Sequence, residues 1–194
     1  MAAGRTAVLL PGGSRNGESP LLAAAGRVVA SRGGDVRRVT WTGREHADWP
    51  AWPSANPQFS GPFRAWLTAQ VAQALDDVVT SGAAAPVVIG KSLGSLAARL
   101  AVGRGLAMVW FTPVLTDKLT VSALRAAAAP CLLAGGTADA LWDGQVARSV
   151  TAHVVEVDGA DHSMAVPGEP SASAATITRV MTALGQFLDR EVWR

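Results

Sequence analysis

Val87-Val88-Ile89-Gly90-Lys91-Ser92-Leu93-Gly94-Ser95-Leu96-Ala97-Ala98 runs from an apolar, β-branched segment through Gly-x-Ser-x-Gly into a small-residue helical pattern. That order is what a nucleophile elbow requires: a serine on a sharp strand-to-helix turn, its hydroxyl raised above the end of a sheet. Ser92 is therefore the candidate nucleophile. Gly90 and Gly94 carry no Cβ, so the turn can close and the helix can pack against the neighbouring strands. The main-chain N–H of Leu93 points into the same space as the hydroxyl. A second reading makes Ser92 only the N-cap of the following helix. A phosphate-binding loop fails on spacing, because Gly-x-x-x-x-Gly-Lys-Ser needs glycine at position 85 and the chain has Ala85.

Outward from the elbow, short apolar runs recur at Thr6–Leu10, Val36–Trp41, Val87–Gly90, Leu106–Phe111, Cys131–Ala134 and His153–Val157. Each pair is separated by enough chain for a helix, which predicts six parallel strands with right-handed crossovers and an α/β three-layer sandwich. Helices are expected over Pro20–Ser31, Pro62–Thr80, Leu93–Arg104, Val121–Ala127, Asp143–Ser149 and Ser171–Arg190. The segment from Trp41 to Pro62 breaks this rhythm with several prolines and tryptophans. It reads as a stiff aromatic loop that either covers a cleft or is simply pinned to the body.

A chain of 194 residues with no internal repeat or long linker is expected to form one domain over 1–194. Apolar residues make up 49% and charged residues 16%, which suits a sheet covered on both faces and excludes a disordered chain. Net charge is only +2 and the arginines are scattered, so nucleic acid is not an expected partner. Cys131 is the single cysteine, which leaves no internal disulfide and no need for an oxidising compartment. No run approaches the roughly 18 apolar residues of a membrane span, and no signal segment precedes the first strand, so a soluble cytoplasmic protein is expected. The Ala, Gly and Arg bias resembles a high-GC bacterial composition.

A serine hydroxyl needs a general base, and the base needs an orienting acceptor. There are three histidines. His153 opens a predicted strand and His46 lies in a polar turn, whereas His162 sits in Gly159-Ala160-Asp161-His162-Ser163, on the loop leaving the last strand. The order serine, acid, histidine along the chain then assigns His162 as base. Asp139 is the first carboxylate after the fifth strand and is the candidate acid. Asp143 competes with it, although its place before Gly144 and Gln145 equally suits a helix N-cap. Asp161 is disfavoured because adjacent residues on an extended loop point apart. The tetrahedral oxyanion needs two N–H donors: Leu93 supplies one, and Gly13 in the loop Pro11-Gly12-Gly13 is the candidate for the other. An ordinary Gly-rich turn is the alternative there.

Pro11-Gly12-Gly13, Gly90-Lys91-Ser92-Leu93-Gly94-Ser95, Gly136-Thr137-Ala138-Asp139 and Asp161-His162 together resemble a compact α/β-hydrolase, of the dienelactone-hydrolase-like or testis-expressed-30-like kind. The resemblance spans nearly the whole chain. It implies strand order 2-1-3-4-5-6, and the short stretch from Phe111 to Val121 leaves no room for a helical cap domain. The expected function is hydrolysis of an ester or thioester of a small, apolar substrate through an acyl-enzyme. Trp49, Trp52, Trp110 and Trp142 are candidate pocket walls, with core packing as the alternative for each. No cofactor or metal is implied. Two other functions are compatible with the residues: a biosynthetic enzyme using the same triad for cyclisation, acyl transfer or a lyase step, and a non-enzymatic binding module on the same scaffold.

Overall fold

The structure is a computed structural model that describes residues 4–13, 19–42 and 61–194. Six strands form one sheet: β1 (Arg5–Leu10), β2 (Asp35–Arg38), β3 (Ala84–Lys91), β4 (Ala107–Phe111), β5 (Cys131–Gly136) and β6 (His153–Val157). Every pairing is parallel, and the spatial order is β2-β1-β3-β4-β5-β6, as the resemblance implied. Parallel strands read as continuous apolar runs because both faces are covered. Alternate residues here feed two cores. Val88, Met108, Trp110 and Leu133 enter the one that meets α2 (Gly61–Thr80), α3 (Ala98–Val102), α4 (Lys118–Arg125) and α5 (Gly144–Val150). Val87, Ile89, Val109 and Phe111 enter the other, beneath α1 (Pro20–Ala30) and α6 (Pro170–Phe187).

β3 starts three residues earlier than expected, at Ala84, and three other boundaries depart from the expectation for local reasons. β2 ends at Arg38 and does not continue to Trp41, because β1 ends at Leu10 and the last ladder rung pairs Leu9 with Arg38. Past that rung Val39 N–H still donates to Leu9 O at 3.0 Å, and the Trp41 indole donates to the carbonyl of Gly12 at 3.0 Å. The helix expected over Leu93–Arg104 opens as a 3-10 segment, Ser92–Ala97, before the short α3. The Ser95 hydroxyl donates back to the Ser92 carbonyl at 2.7 Å, so a side chain takes an acceptor that a regular helix reserves for its main chain. α4 begins earlier than expected, at Lys118, because the Asp117 carboxylate accepts from the N–H of Thr120 at 2.8 Å and caps that end.

Among the described residues no helix is long and apolar enough to cross a membrane. The loop from β4 to α4 is short, and no cap domain interrupts the described chain. Trp49, Trp52 and His46 lie outside the described residues.

Candidate active site

β3 delivers Ser92 at the carboxyl end of the sheet, next to the point where chain connections diverge to opposite sides of β1 and β3, the usual ligand crevice of an open α/β sheet. Ser92 has φ of 50°, in the left-handed region that ordinary residues avoid at a cost of about 1–2 kcal/mol. Packing holds this turn. A Cβ on Gly90 would overlap the Trp110 ring, and one on Gly94 would sit 2.8 Å from the main-chain oxygen of Leu10. Both positions require hydrogen in place of a side chain, and so the turn is pressed onto β1 on one side and β4 on the other.

Asp139 and His162 come from the loops after β5 and β6. His162 Nε2 lies 2.8 Å from Ser92 Oγ, and His162 Nδ1 lies 2.8 Å from Asp139 Oδ2. The Asp139 side chain is 2% exposed against 30% for His162, so the carboxylate is shielded while an edge of the imidazole faces outward. The other carboxylate oxygen of Asp139 accepts from the N–H of Leu141 at 3.0 Å, which fixes its rotation. The two loops are also joined to each other: Ala138 N–H donates to Ala160 O at 3.0 Å, Thr137 Oγ1 donates to Asp158, and Gly159 N–H donates to Thr137 Oγ1. A further link runs from the serine turn to the acid loop. Val114 N–H donates to Ser95 Oγ at 3.0 Å, and Leu115 N–H donates to Leu141 O at 2.9 Å.

The competing residues fall elsewhere. Asp143 accepts from the N–H groups of Gln145 and Val146, both at 2.9 Å, and caps α5. Asp161 accepts from the N–H groups of Ser163 and Ala165 and shapes the loop that carries His162. His153 opens the edge strand β6 and packs edge-on against Phe187 with ring centroids 5.3 Å apart. Gly12 brings the loop after β1 to the serine: a Cβ there would lie 3.5 Å from Ser92 Cβ, whereas one on the neighbouring Gly13 would meet open space. Leu93 follows Ser92 as the second residue of the 3-10 segment, where N–H groups lack intrahelical acceptors.

Two of the four tryptophans nominated as pocket walls are placed, and both have packing roles. Trp110 is 0% exposed and lies beneath the elbow against Gly90, so it walls no accessible pocket. Trp142 covers Gly135 of β5, where its ring occupies the space of a side chain, and its indole N–H donates to Glu156 of β6 at 2.8 Å. That bond, together with Arg148, holds the Glu156 carboxyl below its usual range. Burial pushes the Cys131 thiol up to about 12, which suits an inert core residue. Among the described residues no group of three or more His, Cys, Asp or Glu side chains could hold a metal ion.

Sequence reasoning passed over two residues that brace the site. Trp41 fixes the loop after β1 through the carbonyl of Gly12, and Ser95 joins the elbow to the loop after β4. Ser95 had a legible signal, since a serine at a small-residue position beside the elbow can bond locally to main chain.

No protein-family model matches the sequence, and no curated protein sequence matches it either. Solved structures do resemble it. A lidless α/β serine hydrolase from Xanthomonas campestris aligns over 98% of this chain and 83% of its own, at 16% identity and a TM-score of 0.62. Est1E from Butyrivibrio proteoclasticus aligns over 97% and 88%, at 12% identity and a TM-score of 0.69. A dienelactone hydrolase from Anabaena variabilis aligns over 98% and 88%, at 19% identity and a TM-score of 0.67. The chain has the α/β-hydrolase fold, in a compact form built on six parallel strands.

Proposed function

We propose that this chain is a serine hydrolase, forming one domain, that cleaves an ester or thioester of a small, apolar substrate through an acyl-enzyme. The observation that carries the reading is the continuous run of hydrogen bonds from Ser92 through His162 to the buried carboxylate of Asp139. In this reading Ser92 Oγ attacks the acyl carbon as its proton passes to His162 Nε2. Asp139 holds the proton on Nδ1 and offsets the charge of the imidazolium. The N–H groups of Leu93 and Gly13 receive the oxyanion. His162 then returns the proton to the leaving alcohol or thiol, and water enters by the same path in reverse.

The strained Ser92 backbone supports this reading, since such strain persists where surrounding structure over-determines it. Est1E, which shares the fold, has been solved with ferulic acid bound, which is in keeping with a small acyl group as substrate. The test is a screen of short-chain esters, thioesters and lactones with the wild type beside Ser92→Ala and His162→Ala. Each substitution is expected to lower turnover by roughly 10⁴- to 10⁶-fold, with the double variant scarcely worse, because nucleophile and base act as a unit. Near wild-type hydrolysis by purified Ser92→Ala would end the proposal.

A further inference from the structure

The proposed reaction makes no direct use of Lys91, yet its position is costly. In β3 the side chains alternate, and Lys91 follows Val87 and Ile89, both 0% exposed, onto the face covered by α1 and α6. Its partner across the ladder is Phe111, which belongs to that core, while Lys91 itself is half-buried at the end of the strand. Taking an ammonium group even partly out of water is unfavourable unless its donors are satisfied, and this partial burial lowers the Lys91 pKa against the opposing pull of Asp139 and Asp161. A lysine held near two carboxylates would be expected to pair with one of them. Instead, Nζ donates to the main-chain carbonyl of His162 at 3.1 Å, and among the described residues Lys91 makes no ion pair. Its stem passes beside Gly12, in the loop proposed to bind the oxyanion.

We propose that Lys91 is a positioning residue for the base: by donating from Nζ to the carbonyl of His162, it ties the loop after β6 to the end of β3, so that the imidazole spans Ser92 and Asp139. This rests on the serine hydrolase reading above. The bond acts on the main chain of the very residue whose ring must bridge two partners at 2.8 Å each. Small displacements of such a ring are expensive in rate, about 10²-fold for 1 Å.

The test compares wild type, Lys91→Met and Lys91→Gln, which is polar but too short to reach the carbonyl. Three readouts are taken: kcat and KM on a short-chain p-nitrophenyl ester, Tm, and the downfield proton resonance of His162 Nδ1–H. A lysine with a merely structural role shows its loss in Tm, whereas a positioning lysine shows it in kcat and in the His162 resonance with Tm held. The expected result is kcat lower by about 10- to 100-fold, KM within about twofold, Tm unchanged or higher, and a shifted or broadened Nδ1–H resonance. The proposal is overturned if kcat stays within about twofold of wild type, or if its loss simply tracks a lowered Tm. Ser92→Ala is measured in parallel. Should that variant keep its activity, the hydrolase reading falls and Lys91 is judged on the resonance alone: an unchanged signal in Lys91→Met overturns the positioning role, and a lost one supports it.

Discussion

Asp139→Asn separates orientation from packing more cleanly than any other change at this site. The asparagine is nearly isosteric, and its carbonyl oxygen can still accept from Leu141 N–H as Asp139 Oδ1 does at 3.0 Å. The atom facing His162 Nδ1 then becomes an NH₂ donor. Because the carboxylate it replaces is 2% exposed, water has no easy route to restore an acceptor there. Nδ1 must accept, the proton moves to Nε2, and the imidazole can no longer take the proton of Ser92 across its 2.8 Å contact. Loss of the correct tautomer is expected to lower kcat by about 10⁴-fold, equivalent to about 5.5 kcal/mol in the barrier, with little change in KM or Tm. Asp143→Asn is the matched control: asparagine caps a helix as well as aspartate does, so α5 keeps its cap and activity changes little. Steady-state kinetics on the best ester from the screen, with Tm for each variant, decides the matter. If Asp143→Asn is the more damaging of the two, Asp143 supplies the acid and the geometry has been misassigned.

Two further expectations concern packing and pH. Gly90→Ala puts a methyl group into the Trp110 ring, and overpacking of this kind costs about 1–3 kcal/mol, so Tm should fall by several degrees at about 2–4 °C per kcal/mol; an unshifted Tm would mean that the elbow and β4 are not pressed together. The Glu156 carboxyl is held below its ordinary 4.5 first by the Trp142 indole and then by Arg148. A depressed carboxyl contributes stability that is complete above that ordinary value and is lost as pH falls through the lowered one. Trp142→Phe should therefore flatten the acid limb of stability below about pH 4.5, and an unchanged limb in urea titrations across that range would count against the bond.

Much of the fold is readable in the sequence because parallel strands covered on both faces leave unbroken apolar runs. The run at β6 has the expected bounds, and those at β4 and β5 needed only a residue or two of adjustment at one end. The β2 run was overextended because Val39 and Trp41 are as apolar as a strand requires; the ladder stops at the Leu9–Arg38 rung, and with β1 ending at Leu10 there is no strand left for Trp41 to pair with. For Trp110 the core alternative holds: two residues from Met108, it shares that residue's face of β4 and enters the same core. Asp143 illustrates a true ambiguity, since a carboxylate just before a helix suits capping and catalysis equally until its partners are seen. Lys91 and Trp41 were illegible for a different reason. Both donate to main-chain carbonyls, and every residue has one, so no residue type at the receiving end marks the contact.

The strand order has a consequence for how this protein is made. On the ribosome β1, β2 and β3 emerge first and can pair, because β1 stands between the other two. Ser92 leaves the exit tunnel with that half of the sheet, whereas the loops bearing Asp139 and His162 follow only after β5 and β6. Residues that follow later still return to the first strand: Arg5 donates to the Trp193 carbonyl at 3.1 Å, and the Trp193 indole donates to Ala85 of β3. Nascent chains stalled before β6 would thus hold a serine turn with its strain and no proton acceptor, and contacts spanning nearly the whole chain favour slow closing steps. Until the next strand is made, β3 and then β4 stands at the edge of the growing sheet, with its main-chain groups open to mispairing.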